Sequence, residues 1–359
     1  MHGEGLRNLA ASLLLSPLAL TCGCHTTIGA QPQGTPVALR VPLGLPPVPL
    51  PRGNHPTETS IGLGRRLFYD TRFSKDDSVS CASCHQPELG FKDPRDRSTG
   101  VAGAKGRRHA PTLVNAAYSS FLFWDGRARS LEAQADGPIT DPHEMNQTSE
   151  ALVSKLRSDP HYRALFQSTF GTDDITMERI ATALAAFERM MLSGNSAFDR
   201  YKYQHRQDAL SEVQVRGLAI FTDPHKGNCS ACHTIGPDHA LFTDDDFHNT
   251  GEGVGPDGEF TDLGRFEVTK RDSDKGAFKT PTLRNVAVGG PYMHDGKLKT
   301  LKDVVDFYAG GGNSNPYLDN RISAIQLSGR DRADLVEFMK SLTGEMPSNL
   351  GPPEEDRHK

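Results

Sequence analysis

Apolar residues recur at steps of three and four along several stretches of the chain, which is the spacing of one helix face. In "ITMERIATALAAFERMM" these positions are Ile175, Ile180, Leu184, Phe187 and Met191. The segments "SIGLGRRLFYD", "SEVQVRGLAIFTD" and "RADLVEFMKSL" also have helical patterns. No stretch sustains the alternation of apolar and polar residues that is typical of a strand. The pattern therefore predicts a mainly α protein.

Two segments of the chain repeat one another. "PTLVNAAYSSFLFWDGRARSL" covers residues 111–131, and "PTLRNVAVGGPYMHDGKLKTL" covers residues 281–301. Pro-Thr-Leu, an Asn, an Asp-Gly pair and the final Leu recur at identical spacing. Each copy follows its own C-x-x-C-H segment, so we interpret the repeat as the duplication of a whole domain. The boundary is expected near residues 195–210, which are polar and lie between helical patterns.

The N-terminus has the pattern of an export signal. Arg7 precedes an apolar run over residues 9–20, which is too short to span a bilayer and fits a signal peptide. Cleavage could follow Ala30, and Cys24 is a weak candidate for lipid attachment. No other segment has the length and apolarity of a membrane-spanning helix.

These features divide the chain into five parts. Residues 1–30 are predicted to be the signal peptide, and the Pro-rich residues 31–54 are predicted to be an extended linker outside the core. A first domain is expected at 55–200 and a second at 201–348, followed by a polar tail at 349–359.

Composition excludes one class of partner. The 359 residues carry a formal net charge of -5, so there is no basic surface signature for nucleic acid. Charged residues make up 24% and hydrophobic residues 36%, as in a soluble globular protein. Four of the six cysteines lie in the C-x-x-C-H segments, which leaves no disulfide framework.

The C-x-x-C-H pattern is the attachment signature of c-type haem. Two thiols add to the haem vinyl groups, and the adjacent histidine becomes the proximal iron ligand. A redox dithiol does not require the histidine, and a zinc site would need two further ligands that do not stand out. We therefore predict two covalent haems. The residues that would hold them are Cys81, Cys84, His85, Cys229, Cys232 and His233.

Beyond these motifs, the chain resembles the bacterial di-haem cytochrome c peroxidase and MauG family over about residues 57–345. The matching segments include "RRHAPTLVNAAY", "FWDGRARSLEAQADGPI", "AFERMMLSGNSAFDRY", "LGRFEVT" and "PTLRNVAVGGPYMHDG". The resemblance implies two tandem cytochrome c-like domains, each with one covalent c-type haem. It further implies that the haems face the domain interface, that one binds peroxide and that the other handles electrons.

The resemblance assigns the peroxidatic role to the first haem, with His85 as its proximal ligand. In the classical peroxidases a distal histidine closes this iron in the resting state, and the ungapped match places Val101 there. An open site is therefore expected, with His109 and His143 as alternatives if the loop aligns differently. The family's distal glutamate falls on Glu144, a candidate proton carrier, and Pro138 falls on the pocket wall.

Three further residues carry roles that the resemblance implies. Trp124, the single tryptophan, would relay electrons between the haems. Without the resemblance, we would interpret it as an aromatic residue packed in the core. Tyr308 matches the sixth ligand of the second haem, as in MauG, and the alternative ligand is Met293. A phenolate favours ferric and high-valent iron, whereas a thioether favours ferrous iron.

The family's calcium site is less well matched. The usual Asn side-chain ligand corresponds to His109, and carbonyl ligands would fall on Gly289 and Pro291. Because calcium prefers oxygen ligands, the imidazole makes calcium a weaker expectation than haem.

Three functions remain open at this point. The first is a periplasmic peroxidase that reduces hydrogen peroxide to water with electrons from a small redox protein. The second is a MauG-like enzyme that uses a bis-ferryl state to oxidise residues of a partner protein. The third is a non-catalytic di-haem electron carrier, which Glu144 and the missing distal histidine argue against. The peroxidase is the favoured hypothesis.

Overall fold

The computed structural model describes residues 31–255 and 257–354. The predicted signal peptide, Cys24 and the end of the polar tail lie outside the described residues. The described part is mainly helical, as predicted. Its α-helices are α1 Glu58–Tyr69, α2 Cys81–Cys84, α3 Leu131–Thr140, α4 Ser149–Arg157, α5 Pro160–Phe170, α6 Met177–Glu188, α7 Ala197–Tyr203, α8 Glu212–Thr222, α9 Phe266–Thr269, α10 Leu301–Ala309 and α11 Gly329–Lys340. Two short strands, β1 Phe247–His248 and β2 Phe278–Lys279, pair antiparallel.

Side-chain caps fix where several helices begin. Thr57, Ser211, Thr300 and Ser328 each precede a helix and accept a hydrogen bond from the backbone N–H three residues on. The side chain of that third residue in turn accepts a hydrogen bond from the backbone N–H of the cap residue. Two backbone donors that would otherwise be unpaired are therefore satisfied at the start of each helix. The helices predicted from periodicity are thus present as α1, α6, α8 and α11.

The two halves of the chain are built around the same kind of helix crossing. We use N-terminal half for residues 55–196 and C-terminal half for residues 197–348. In the first, α1 packs on α6, and a Cβ at Gly64 would collide with the carbonyl oxygen of Ala183. In the second, α8 packs on α11, and a Cβ at Gly217 would collide with the carbonyl oxygen of Asp334. Each crossing therefore needs a glycine at its point of closest approach.

Each half has its own apolar core. The first cluster is centred on Leu67, Phe68 and Phe187, and the second on Phe221, Phe242 and Phe338. Edge-to-face aromatic pairs occur in both, with ring centroids 5.4 Å apart for Phe68 and Phe187 and 5.0 Å apart for Phe198 and Phe242. Two separate cores fit the duplication seen in the sequence.

The Pro-rich segment is extended, as predicted, but it packs against the core and does not form a free linker. The Leu43 carbonyl accepts from the Asn195 N–H at 2.9 Å, and the Pro46 carbonyl accepts from the Tyr118 hydroxyl at 2.8 Å. Leu45 is buried. Proline-rich backbone has many unpaired carbonyls, and here donors from both halves satisfy them. This segment is called the Pro-rich strap below.

Arginines join the halves and the strap. Arg284 is fully buried, pairs with Asp199 at 2.9 Å and donates to the strap carbonyl of Gly44 at 2.7 Å. Arg108 of the N-terminal half bonds Asp262 of the C-terminal half at 2.7 Å. Removing one partner of such a buried pair leaves an uncompensated charge and costs on the order of 3–5 kcal/mol.

Two predicted boundaries change in the structure. The division between residues 200 and 201 falls inside α7, whose Phe198 packs in the second core. The predicted polar tail begins with residues that pack on the N-terminal half: Leu350 is buried in the first core, and its carbonyl accepts from the Tyr69 hydroxyl at 2.6 Å. Apolar Leu350 overrides the polar composition of its neighbours.

None of the helices in the described residues combines the length and the apolar character that crossing a membrane requires.

Candidate functional site

The first C-x-x-C-H segment forms the short helix α2 and the residue that ends it. The Ser80 N–H donates to Ser83 Oγ at 3.0 Å, and the His85 N–H donates to the Cys81 carbonyl at 2.9 Å. This single helical turn places the Cys81 and Cys84 thiols and the His85 imidazole on one rigid segment. The second segment turns in the same way, with the His233 N–H donating to the Cys229 carbonyl at 2.9 Å.

Hydrogen bonds orient both histidine rings alike. His85 Nδ1 donates to the Phe91 carbonyl at 3.0 Å, and His233 Nδ1 donates to the Phe242 carbonyl at 2.9 Å. With the proton on Nδ1, the Nε2 lone pair of each ring is available to a metal. Burial lowers the pKa of both imidazoles, which favours the neutral, ligating form.

The surroundings of the cysteines fit c-type haem. The second segment opens on a cavity of about 600 Å³ with many apolar lining residues, among them Leu301, Val305 and Met339. Cofactor pockets typically measure about 300–1,000 Å³. The thiols of Cys81, Cys84, Cys229 and Cys232 form no disulfide. Burial raises the pKa of Cys229 to about 12, which is the opposite of the shift that a redox dithiol needs.

A zinc site is the other alternative that the cysteines raise. Cys232, Asp244 and His248 do bring their ligand atoms within 4.8 Å of one another. However, His248 Nε2 bonds Asp244 at 2.9 Å and its Nδ1 bonds Asp319 at 2.8 Å. Although burial opposes a charged ring, the Asp244 carboxylate and the Cys232 thiol raise the pKa of His248 to about 10. A doubly protonated imidazole has no lone pair for a metal, so this cluster does not favour zinc.

Glu144 lies beside the first C-x-x-C-H segment. The loop after α3 is held by backbone bonds, from the Glu144 N–H to the Asp141 carbonyl at 3.0 Å and from the Met145 N–H to the Pro138 carbonyl at 3.1 Å. The Glu144 carboxylate is close enough to help raise the pKa of both Cys81 and Cys84, where burial is the larger cause. The Pro138 carbonyl thus helps to hold the loop that carries Glu144.

The environment of Glu144 suits proton transfer. Burial raises the pKa of Glu144 to about 6, and the neighbouring Asp141 carboxylate adds to the increase. The nearby Arg127 and His143 act in the opposite direction. A carboxyl with a pKa close to the working pH can both accept and return a proton.

Val101 adjoins Glu144 in space. The Val101 N–H donates to the Glu144 carbonyl at 2.8 Å, and the Val101 side chain is buried in the first core. Of the two alternative distal histidines, His143 is exposed and bonds Asp141 at 3.2 Å. His109 donates from Nδ1 to the Arg95 carbonyl at 3.0 Å and lines the cavity of the second segment. The structure thus places Val101 against Glu144. His143 is also near Glu144, but its ring is exposed and bonded to Asp141, and His109 lies at the other cavity.

Trp124 lies at the contact between the halves. Its Nε1 donates to the His109 carbonyl at 2.8 Å, and its carbonyl accepts from the Lys279 N–H at 2.9 Å. Its ring lies edge-on to His294, with centroids 6.4 Å apart, and borders the cavity that holds His233. An aromatic ring at this place belongs to neither core cluster.

Tyr308 and Met293 both line the cavity that contains His233. Tyr308 projects from α10, and burial raises its pKa, with further increases from Cys232, Cys229 and Glu252. Its hydroxyl makes no hydrogen bond to the residues that the structure describes. Met293 begins a turn, in which its carbonyl accepts from the Gly296 N–H at 3.4 Å, and it has a left-handed backbone with φ 67°. The structure brings both candidates to the site and leaves the choice of ligand as a prediction.

The residues that would hold calcium do not match that ion. His109 offers imidazole where an oxygen is needed, and its backbone N–H and carbonyl are already bonded to His294 and Trp124. Tyr292 directly follows Pro291 and is three residues after Gly289. The centroid of its ring is 5.6 Å from the Lys92 ammonium. Burial lowers the pKa of Lys92 to about 8, so its charged form persists at neutral pH. A nitrogen ligand and an adjacent cation both disfavour calcium.

Sequence reasoning missed two features of this cavity. Lys92 is buried in it, although "GFKD" gives no sign that its lysine is internal. Glu252 is also buried there, and burial together with Asp295 raises its pKa to about 7. Arg284 is a third buried group, and the sequence did contain a signal for it. In the second repeat copy Arg284 occupies the position that Val114, a core residue, has in the first copy.

Two C-x-x-C-H segments in a helical chain, with their histidine rings oriented alike, are the pattern of a di-haem c-type cytochrome. The family model described as "Di-haem cytochrome c peroxidase" matches residues 58–208. The methylamine utilization protein MauG of Methylorubrum extorquens is 39% identical over 328 residues, which cover 90% of each chain. The cytochrome-c peroxidase IdrP1 of Denitromonas iodatirespirans is 37% identical, covering 84% of this chain and 86% of the relative.

A solved structure agrees with these matches. The crystal structure of a MauG-like protein associated with microbial copper homeostasis superposes with a TM-score of 0.76 at 33% identity, covering 87% of this chain and 97% of the other. The chain belongs to the di-haem cytochrome c peroxidase and MauG family. It is an oxidoreductase of the peroxidase type, which confirms the resemblance seen in the sequence.

Proposed function

We propose that this protein reduces hydrogen peroxide to water at its first haem site, with electrons delivered through its second site from a small redox protein. The observation that carries the proposal is Glu144, a mostly buried carboxyl beside Cys81 and Cys84, with the non-ligating Val101 next to it. When bound, the haems would supply the centre that accepts the peroxide oxygen and the store of electrons. The overall reaction consumes two electrons and two protons for each peroxide.

Glu144 would move the proton within the substrate. In its charged form the carboxylate accepts a proton from one peroxide oxygen and returns it to the other, which leaves as water. The raised pKa supports both steps, because neither protonation state of Glu144 is strongly favoured near neutral pH. Pro138 fixes the loop, and Val101 leaves space at the site that a histidine would fill.

His85 and His233 would hold the two haem irons through Nε2, with their rings fixed by the Phe91 and Phe242 carbonyls. Trp124 would pass electrons between the haems, which we propose face the domain interface. Support comes from its position, since it bonds the His109 carbonyl and borders the second cavity. We propose that the N-terminal and C-terminal halves are the two haem domains, so that α7 belongs to the second.

Tyr308 supports a second candidate function. A tyrosine ligand on the second haem would favour oxidised iron, and the chain could then act, like MauG, on residues of a partner protein. Met293 would instead favour the peroxidase. The observation that keeps this candidate open is that Tyr308 lies in the same cavity as His233 without another bond among the described residues. A non-catalytic electron carrier is disfavoured because it has no need of Glu144 beside the first motif.

The setting that we propose is the periplasm. The predicted signal peptide supports export, and attachment of haem to paired cysteines suits an exported chain. Lipid attachment at Cys24 stays a prediction.

Peroxide turnover by the holoprotein tests the proposal. The mature protein is mixed with peroxide and, in turn, with a reduced small cytochrome and a reduced copper protein, and oxidation of the donor is followed. We expect two donor molecules to be oxidised for each peroxide consumed. If no donor is oxidised while a candidate partner protein gains a peroxide-dependent covalent change, the MauG-like function replaces this one.

A further inference from the structure

We propose that this chain joins its two haem sites without calcium, and that the Lys92 ammonium takes the place of the ion between the halves. The inference rests on the two-haem organisation proposed above, but it concerns how the halves are held together and not the reaction. It starts from the mismatch between the residues at the family's calcium position and the chemistry of that ion.

The ligands are wrong for calcium. Calcium takes six to eight oxygen ligands. At His109 the side chain offers nitrogen, and its Nδ1 is already 3.0 Å from the Arg95 carbonyl. The His109 carbonyl, which could have served instead, accepts from Trp124 Nε1 at 2.8 Å. What remains of the expected site is the backbone near Gly289 and Pro291.

The charges of the cavity also oppose a divalent cation. Among the described residues that line it, Glu252 carries the one carboxylate. Four basic side chains line the same cavity: Lys92, Lys279, Arg284 and Arg321. The nearby Asp93 carboxylate is taken by Arg95, with its oxygens 2.7 and 2.6 Å from the guanidinium. Three of the four basic side chains have carboxylate partners, Asp199 for Arg284, Asp319 for Arg321 and Asp245 for Lys279. Lys92 is therefore the basic side chain of this cavity without a carboxylate partner among the described residues. A calcium ion would add two charges beside that ammonium.

Lys92 is placed where a cation between the halves would lie. It belongs to the N-terminal half, just after the first C-x-x-C-H segment, and it is 9% exposed. Its Nζ lies 5.6 Å from the ring centroid of Tyr292, a residue of the C-terminal half that directly follows Pro291. It is also close enough to His109 to lower the pKa of that imidazole.

The N–H donors of the Lys92 ammonium are free to bind acceptors. Within residues 31–255 and 257–354, no hydrogen bond or ion pair uses Lys92 Nζ, whereas the other lysine of this cavity, Lys279, donates to the Thr280 carbonyl at 3.2 Å. A buried ammonium needs acceptors, and carbonyl oxygens suit it as they suit calcium. Because it is covalently tethered, this cation cannot be extracted by a chelator.

Calcium content of the wild-type holoprotein is the first test. The protein is equilibrated with calcium chloride, separated from free ions by gel filtration, and analysed for calcium and iron by atomic emission. We expect two irons per chain and no stoichiometric calcium, with haem spectra and peroxide turnover unchanged by EGTA. One retained calcium per chain, with spectra that change when EGTA removes it, would overturn the inference. Peroxide turnover in the same sample reports separately on the proposed function.

Variants then test the role of Lys92. The double substitution Lys92→Gln with His109→Asn supplies two amide oxygens and removes the cation, so we expect it to gain one EGTA-sensitive calcium. Lys279→Gln with His109→Asn is the matched control, because it removes an equal charge from the same cavity and leaves Lys92 in place; it should gain none. A gain in the control, or none in the first variant with both haems attached, would contradict the assignment to Lys92.

The single variant Lys92→Gln gives a readout that does not depend on calcium. Loss of a positive charge near both haems should lower both reduction potentials, since it stabilises the oxidised irons. Lys279→Gln should act mainly on the second haem, whose cavity it lines. Spectroelectrochemistry that shows no change at the first haem in Lys92→Gln would mean that Lys92 does not lie between the sites.

Discussion

The two repeat copies share their backbone and differ in the side chains that face the haem sites. Asn115 and Asn285 both adopt left-handed backbone angles, with φ 61° and 58°, and Gly126 and Gly296 both have φ 68°. The Thr112 hydroxyl donates to the Gly90 carbonyl at 2.6 Å, just as Thr282 donates to Leu241 at 2.7 Å. The duplicated part is therefore a scaffold of turns.

The side chains at matching positions have diverged. Trp124 of the first copy corresponds to His294 of the second, and Phe123 corresponds to Met293. Pro138 and Tyr308 also match, each lying seven residues after the first residue of α3 or α10. A proline cannot bind iron, whereas a tyrosine can. In the proposed function, this one helix position distinguishes the first site, which is open to substrate, from the second, which a tyrosine would close.

Removing either cysteine pair gives the largest expected effect. Cys81→Ala with Cys84→Ala should leave one covalent haem and abolish peroxide turnover, and the same change at Cys229 and Cys232 should leave the other haem. Intact mass of the mature wild-type protein should show two haem additions. A wild type with one or none would refute the comparison of two haem sites.

Tyr308→Phe tests the difference between the two copies. A sixth ligand would make the second haem low-spin, so this variant should change the low-spin spectrum and abolish any oxidised state that both haems share after peroxide is added. Met293→Leu is the control and should leave both nearly unchanged. Electron paramagnetic resonance of the oxidised protein distinguishes the variants. If instead the Met293 change removes the low-spin signal, the second site is closed by methionine and resembles the peroxidases electronically.

Glu144→Gln keeps the shape of the side chain and removes its ability to accept a proton. A general acid–base group contributes on the order of 10²- to 10⁴-fold, so the rate of reaction with peroxide should fall within that range. Stopped-flow spectroscopy measures the rate, and both haems should remain attached. His143→Gln is the control, because that side chain is exposed, and a large loss there would move the proton transfer to His143.

The pKa of Glu144, about 6, predicts the pH dependence of the same rate. Below that pH the carboxyl is protonated and cannot accept the peroxide proton, so the rate should fall by up to about tenfold per pH unit as acidity increases. Asp141→Asn removes a neighbouring negative charge that raises this pKa, so the profile should move to lower pH. A rate that stays constant between about pH 5 and about pH 7, on either side of this pKa, would argue against Glu144 as the proton acceptor.

The smallest expected effect concerns the shared scaffold. Gly64→Ala and Gly217→Ala both place a methyl group against a backbone carbonyl at a helix crossing, and each should destabilise the fold by about 1–3 kcal/mol. Gly62→Ala, on the open side of α1, should instead stabilise it by up to about 1 kcal/mol. Chemical denaturation measures all three. Destabilisation at one crossing alone would show that the two copies are not built alike.

The sequence by itself determined the features that are local in the chain. Helical periodicity predicted α1, α6, α8 and α11, because residues spaced three and four apart lie on the same face of a helix. The spacing of Cys81, Cys84 and His85 predicted the attachment segment, since one short turn must present all three groups. The repeat predicted two similar units, because matching turns need matching residues.

The tertiary structure decided what depends on contacts between distant segments. Composition cannot show that the Pro-rich strap binds Arg284 through Gly44, because the partner is remote in sequence. Lysine is usually a surface residue, but Lys92 is buried, with its ammonium over the Tyr292 ring and near His109. The pKa of Glu144 is likewise set by burial and by Asp141 in the folded loop. Burial and charge proximity are properties of the assembled chain, and they decide which predicted residues can do chemistry.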